Sequence, residues 1–488
     1  MASHPTVSVI RSSVAALLVA VSASTLVVSA RGSDPVRQPS QASIQEVATS
    51  RRPDIVLILT DDQRFDTLWA MPTVQSELVA KGVEFTNGYV SNPVCCPSRS
   101  SILTGKYSHS TGVNTNHPKQ PFGGFPAFHD TSTVATWLQE AGYRTALMGK
   151  YLNGYGSSYV PPGWDRWFVT WDEGAYFDYT ANDDGTLRSY GSDREDYGTD
   201  VLADQATDLI RSTDRGQPLF LYFAPHAPHG PATPAPRDEK RFSDLDVWRP
   251  ANYDETDVTD KPGYIRSHRR LLESTQPSID RFRRDQYRAL RSVDRAVAKI
   301  LDALTDTGRL SNTLIVFTSD NGMLWGEHRW SSKMVPYEES IRVPFVVRDD
   351  ARITTPRSDD RLVLNIDLAP TFADVAGIRA TTVEGRSLVP LLSSSRTPWR
   401  TDFLMEHLNL GPGGVPTYCG VHSRRYVYVD YETGEEELYD LDRDPFQLTN
   451  VAENRTYRDV LRTSRDRLRR LCRPRPPGFS FTDRNGEA

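Results

Sequence analysis

Cysteine is scarce in this chain: Cys95, Cys96, Cys419 and Cys472 are the only four among 488 residues. Two adjacent cysteines followed by Pro-Ser-Arg have the spacing of neither a disulfide framework nor a zinc site. For Cys419 and Cys472, a bond within the C-terminal region and two free thiols stay equally open. A large excess of one charge is also lacking. The net charge is −6, and the arginines are interleaved with Asp and Glu, which speaks for a solvated surface and against a nucleic-acid binder. Beyond residue 30 no apolar run is long enough to span a bilayer, so stable membrane insertion is not expected. No internal repeat recurs. What remains is ordinary for a globular chain, with 38% hydrophobic and 25% charged residues and a length that allows one large domain plus a smaller one.

The exception to the missing apolar runs is at the start. Arg11 precedes Ser12 to Val21, and apolar or small residues continue to Val28-Ser29-Ala30. This is the pattern of a secretory signal peptide over residues 1–30, with small residues where a signal peptidase reads. The stretch is short and rich in Ala and Ser for a membrane anchor. The chain is therefore expected to be exported. Residues 31–52 are rich in Ser, Pro and Gln and read as a disordered linker.

From Asp54 to Thr60 a continuous apolar run marks a strand buried on both faces. Similar runs occur at Arg144–Met148, Leu219–Phe223, Leu314–Thr318 and Val343–Val347. Helical patterns lie between them. Ser132 is the expected N-cap for Val134–Glu140, and Gly142 the stop. Tyr287, Leu290, Val293, Val297, Ile300 and Leu304 recur at helical spacing up to Gly308. Alternating strands and helices predict an α/β sandwich with a large, mostly parallel sheet over residues 53–377. Residues 231–283 lack periodicity and read as a long surface excursion beside a substrate cleft. A smaller C-terminal α+β subdomain with an antiparallel sheet is expected over 378–488. Its signals are a hairpin at Tyr426–Val429 and Glu437–Tyr439 around Glu432-Thr433-Gly434, and a basic helix from about Thr456 to Leu471.

The chemistry-bearing residues sit at strand ends. Asp61-Asp62 follows the first strand, where ligands of open α/β sheets bind. Alone, this pair is as well explained by a helix N-cap. Asp320-Asn321, before Gly322, holds the same position after Leu314–Thr318, although Asn-Gly is also a turn signal. Together the two pairs offer four oxygen donors, which suits Ca²⁺, with Mg²⁺ as the alternative, rather than zinc. The third element is Cys95-Cys96-Pro97-Ser98-Arg99, opening an amphipathic stretch. A helix N-terminus and an arginine there would bind an anion and activate a thiol. A buried structural cysteine is the bland alternative.

Cys95-x-Pro97-Ser98-Arg99, extended by Leu103-Thr104-Gly105-Lys106, resembles the signature of the type I, formylglycine-dependent sulfatases. The resemblance runs from about Pro53 to Val451. It implies an alkaline-phosphatase-like sandwich and conversion of Cys95 to formylglycine by a formylglycine-generating enzyme. It also implies a divalent metal held by Asp61, Asp62, Asp320 and Asn321 beside residue 95. Met148-Gly149-Lys150 matches the family's second motif, with Lys150 as the sulfate-binding lysine. Where many members carry a histidine two residues later, this chain has Leu152. Gly149-Lys150-Tyr151-Leu152-Asn153, with Pro161-Pro162-Gly163-Trp164 downstream, is similar to N-acetylglucosamine-6-sulfatases and extracellular heparan sulfate sulfatases. In Ala224-Pro225-His226-Ala227-Pro228-His229, His229 aligns with the substrate-binding histidine and His226 is the second register. Lys333 matches the second active-site lysine. His328 is either its neighbour or a structural residue. Tyr337–Pro344 and Asn365–Thr371 read as scaffold.

These implications make the chain a sulfuric ester hydrolase acting on a sulfated small molecule or glycan, such as 6-sulfated N-acetylglucosamine. Lys150, Lys333, Arg99 and the metal would neutralise the anion. One hydroxyl of the gem-diol at residue 95 would attack sulfur, and His229 or Lys333 would protonate the alcohol. Two other readings stand beside this one: a phosphate or phosphonate monoester hydrolase of the same superfamily, and a non-catalytic glycan-binding protein with Cys95 unmodified.

Overall fold

The computed structural model describes residues 51–171, 176–394 and 396–481. The expected signal peptide, and the linker up to residue 50, lie outside the described residues. Ten strands form the main sheet. From edge to edge they are Arg357–Asp359, Val83–Phe85, Phe345–Asp349, Thr313–Ser319, Asp54–Thr60, Leu219–Ala224, Arg144–Gly149, Arg166–Thr170, Thr180–Asp183 and Thr186–Ser189. The five strands from Thr313–Ser319 to Arg166–Thr170 run parallel. Phe345–Asp349 pairs antiparallel on one side, and the last two strands form an antiparallel extension on the other.

The first strand shows why the central runs are apolar throughout. Ile55, Leu57 and Leu59 enter one core, while Val56 and Ile58 enter the other. Each face is covered. On one side lie the helices Cys95–Thr104, Val134–Glu140 and Leu368–Val375. On the other lie Gly198–Ser212 and the long helix Gln276–Asp306. Each such Leu or Ile contributes about 1.5–3 kcal/mol by leaving water.

Several boundaries differ from expectation. The N-cap of Val134–Glu140 is Thr133, not Ser132, because Thr133 and Thr136 bond reciprocally in a capping box. The strand expected at Val343 begins at Phe345, after Pro344, which has no N–H to offer a ladder. The helix carrying Tyr287 begins at Gln276 and so takes up the end of the excursion read over 231–283. The stretch opened by Cys95 is not amphipathic in place, since all ten residues Cys95–Thr104 are buried.

A second sheet orders Asp402–His407, Tyr418–Ser423, Tyr426–Tyr431 and Glu436–Asp440, all antiparallel. The expected hairpin is its second half. The helix Arg458–Leu471 packs Leu461 and Leu468 on Leu404, Val421, Tyr428 and Leu438. Phe403, Met405, Val427 and Val429 belong to another core shared with Tyr89, Tyr337 and Leu364. Cys419 and Cys472 form a disulfide, which closes the question left by the sequence.

Candidate active site

Four neighbouring parallel strands end on the same edge of the sheet, and each delivers one part of the site. Thr60 pairs in register with Ser319, which places Asp61-Asp62 beside Asp320-Asn321. Gly149 pairs with Ala224, so Lys150 emerges beside the segment carrying His226 and His229. Gly149 has φ +116°, and a Cβ there would lie 2.0 Å from the Ala224 carbonyl oxygen, so only glycine fits. Asp62 also has positive φ, +63°, an αL conformation that Asp tolerates better than most residues and that turns its carboxylate into the site.

Cys95 opens its helix with Val94 as an extended N-cap and sits at the site with the thiol fully buried. The helix is braced from below by Asn365, whose Nδ2 donates to Ser98 Oγ at 2.9 Å. This gives Asn365–Thr371 the scaffold role expected of it. Lys333 Nζ is 2.7 Å from Cys95 Sγ and 2.5 Å from Asp62 Oδ1. Asp61 Oδ1 lies 3.6 Å from the same sulfur. Lys150 Nζ is 2.5 Å from Asp61 Oδ2. Arg99 Nε donates to Asp320 Oδ2 at 2.7 Å and Arg99 Nη1 to the Lys150 carbonyl at 2.9 Å. Asn321 Nδ2 donates to Asp62 Oδ1 at 2.6 Å. His229 Nε2 is 3.7 Å from Asp62 Oδ2, and its Nδ1 donates to the Gly230 carbonyl at 2.7 Å.

The electrostatics follow from three carboxylates packed against Lys150, Lys333, Arg99 and His229 in a largely buried site. Burial alone would raise the Asp61 carboxyl, but Lys150, His229, Arg99 and Lys333 hold it well below the usual carboxylate range. Burial, with Asp61 beside it, pushes Asp320 up. Burial opposes charge on Lys150 and Lys333, yet their facing carboxylates keep both ammonium groups charged above the ordinary lysine range. The unmodified Cys95 thiol is pushed up to about 12, chiefly by burial, so as a cysteine it is a poor nucleophile. His226 is held down to about 3 by burial and Lys150, and its Nε2 is 2.8 Å from Thr170 Oγ1.

The donor set fits a hard divalent cation. Asp61, Asp62, Cys95 and His229 each place one ligand atom within 4.8 Å of the others. Asn321 Oδ1 is buried without a hydrogen-bond partner, an oxygen that a cation would satisfy. Asp320 sits at the edge of this group, its oxygens occupied by Arg99 and by the Asp62 N–H at 3.2 Å.

Every residue singled out for catalysis or metal binding is therefore brought to one place. His328 is not: its Nδ1 meets Glu255 Oε2 at 2.7 Å, its Nε2 accepts from Asn252, and its ring stacks on Tyr337. It is a structural residue. Leu152 lies in the core. Sequence reading missed Asn116, whose Oδ1 accepts from the Cys96 N–H at 2.8 Å, and Tyr176, whose hydroxyl donates to the His229 carbonyl. It also missed Arg64 and Glu327. No local pattern marks these residues, because each acts on a partner distant in sequence.

A sheet-edge site pairing clustered carboxylates with lysines and an arginine defines the class of an anion-handling hydrolase centre. The comparisons name the family. The profile described as Sulfatase matches residues 53–378, and the one described as N-sulphoglucosamine sulphohydrolase, C-terminal, matches residues 326–473. The chain belongs to the sulfatase family. It is 34% identical to the N-acetylglucosamine-6-sulfatase of Homo sapiens over 455 residues, covering 83% of this chain and 82% of that protein. It is 38% identical to the "Extracellular sulfatase SULF-1 homolog" of Drosophila melanogaster over 375 residues, covering 74% of this chain. The chain spans 33% of the length of that fly protein and 52% of a Caenorhabditis elegans extracellular sulfatase homolog. Among solved structures, a protein in complex with its substrate D-glucosamine-2-N,6-O-disulfate superposes with a TM-score of 0.77 at 24% identity, over 86% of this chain and 97% of the other. The phosphonate monoester hydrolase of Agrobacterium radiobacter superposes with 0.69 at 21% identity, over 86% and 95%. These likenesses give the fold, which is alkaline-phosphatase-like.

Proposed function

We propose that this chain is an exported sulfuric ester hydrolase acting on sulfated sugars, with 6-sulfated N-acetylglucosamine as the leading substrate. One observation carries the reading: Cys95, within the sulfatase signature, lies 2.7 Å from Lys333 Nζ and 3.6 Å from Asp61 Oδ1. The likeness to N-acetylglucosamine-6-sulfatase over most of both chains supports the sugar. The disulfide Cys419–Cys472 supports an oxidising compartment, as expected after export.

Converted to formylglycine by a formylglycine-generating enzyme, residue 95 supplies a hydrated aldehyde, an oxygen nucleophile in place of a weakly ionised thiol. Asp61, Asp62, Asp320 and Asn321 would hold Ca²⁺ or Mg²⁺, which supplies positive charge to the sulfate oxygens. The chain's own residues do the rest. Lys150 and Lys333 hold the tetrahedral anion against residue 95. Arg99 holds Asp320 and the Lys150 backbone, so Lys150 approaches from a fixed direction, while Asp62 holds Lys333. The buried setting excludes bulk water and strengthens each of these contacts. His229 Nε2 or Lys333 Nζ hands a proton to the departing alcohol.

The deciding experiment compares rates on the sulfate and phosphate monoesters of one alcohol, together with 6-sulfated N-acetylglucosamine. Faster hydrolysis of the sulfate is expected. The second reading, a phosphate or phosphonate monoester hydrolase, is favoured by the shared fold of the phosphonate monoester hydrolase. It wins if the phosphate ester is hydrolysed faster.

A further inference from the structure

The basic C-terminal helix takes no part in the reaction described above. Between Arg455 and Arg475 the chain carries nine arginines against two aspartates, within a protein of net charge −6. Two of the nine turn inward: Arg465 pairs with Glu436 and Arg467 with Asp402. The other seven are exposed. At about 100° per residue, Arg458, Arg462 and Arg469 fall within a sector of about 40° and span about 16 Å of helix. Arg473 continues the line just past the helix end, its Nε donating to the Arg469 carbonyl at 2.9 Å.

Helix stabilisation does not account for this stripe. A cation in the last turn complements the helix dipole, which explains Arg469 and Arg470. Arg458 is in the first turn, where the dipole disfavours a cation. Among the described residues no carboxylate pairs with Arg458, Arg469, Arg470 or Arg473, whereas arginines elsewhere in the chain form most of its ion pairs. Arg462 has only the exposed Asp459. The support beneath is firm: Leu461 and Leu468 are buried, and the disulfide ties Cys472 to Cys419.

We propose that this stripe binds an extended sulfated polysaccharide, separately from the reaction centre. The choice of polyanion rests on the sulfated-sugar reading of the active site. Guanidinium forks match sulfate oxygens two at a time and stay charged at every relevant pH. The stripe has no exposed aromatic residue on which bases would stack, which disfavours single-stranded nucleic acid. The four-stranded sheet lies between the two places: Leu404 faces the helix, while His407 lines a cavity of about 370 Å³ together with Lys333. A polymer held on the stripe therefore leaves the reaction centre free and raises the local concentration of sulfated ends.

The test uses the full-length protein and a defined heparin oligosaccharide as probe. Combining Arg458→Ala, Arg462→Ala, Arg469→Ala and Arg473→Ala should weaken binding at least tenfold and flatten its salt dependence. kcat/KM on a small monosulfated ester should not change. The four corresponding Arg→Lys changes should retain most of the salt dependence, and an unchanged melting temperature shows that the fold is intact. Unchanged heparin affinity in the alanine variant overturns the proposal, as does affinity lost only through Lys150→Ala or Lys333→Ala. Equally tight, stripe-dependent binding of poly(dT) overturns the polysaccharide assignment. Stripe-dependent heparin binding by a protein that hydrolyses no sulfate ester leaves the stripe standing and defeats the catalytic reading alone.

Discussion

The guanidinium of Arg64 lies 2.6 Å from the carboxylate of Glu327, both side chains almost fully buried. This contact joins the turn that bears Asp61 and Asp62 to the loop that bears Lys333. Glu327 is further held by the Trp248 indole N–H at 2.8 Å, and Arg64 stacks over Trp325 at 4.1 Å. The pair thus ties the loop that presents Lys333 to the strand end that presents Asp61 and Asp62.

Removing one partner strands the other charge. Arg64→Ala should cost about 3–5 kcal/mol in urea unfolding, and replacing both partners by apolar residues should recover part of that loss. A double-mutant cycle with no coupling between the two positions would contradict the role assigned here.

Residue 95 should be an aldehyde in active protein made in a host with the maturation enzyme. Peptide mass spectrometry reads this directly, and full activity in material that is quantitatively thiol would falsify the proposed nucleophile. Lys150→Ala and Lys333→Ala should each lower kcat/KM on an activated aryl sulfate at least about tenfold, since each loses a charge-assisted contact to the anion. His229→Ala should harm a sugar sulfate more than an aryl sulfate if it protonates the alcohol. Equal losses would restrict it to binding.

Metal content and activity should fall together. Asp61→Ala and Asp320→Ala each remove a carboxylate from the site, and elemental analysis of the purified variants should show reduced Ca²⁺ or Mg²⁺. Full occupancy and full rate in both would remove these residues from the metal site.

The disulfide spans 53 residues. In the chain-entropy account a loop of that size is worth about 4 kcal/mol. Cys472→Ser should therefore lower the urea midpoint of the oxidised protein, and reductant should lower that of the wild type. If neither changes, the bond is not formed in solution.

Acid should destabilise the fold through His407, whose burial holds its pKa down to about 4. The neutral form is the folded form, so the group's contribution is complete above about 6.5 and is lost as pH falls from there towards 4. The maximum is about 3 kcal/mol. Stability measured at pH 7 and pH 5 should differ less in His407→Gln than in the wild type. An identical pH slope would assign the acid sensitivity elsewhere.

Much of this was legible in the chain itself. The buried strands showed as continuous apolar runs, because a strand covered on both faces has no polar side to display. The motif around Cys95 and the two acidic pairs at strand ends were local in sequence, so a linear reading found them. The short edge strands and the strands Asp402–His407 and Tyr418–Ser423 escaped, since few residues with little alternation carry no distinct period.

By itself the sequence singled out the candidate residues for the chemistry and set the two acidic pairs where strands end. Only the tertiary structure decided which charge faces which: Arg99 on Asp320 across 221 residues, Lys333 on Asp62 across 271, Arg64 on Glu327 across 263. It also decided that Cys419 and Cys472 are bonded and that His328 is a structural residue. The physical reason is distance along the chain. Local pattern reports how a segment meets water and its own backbone, whereas a buried ion pair is set by the register of strands that meet only in the folded sheet.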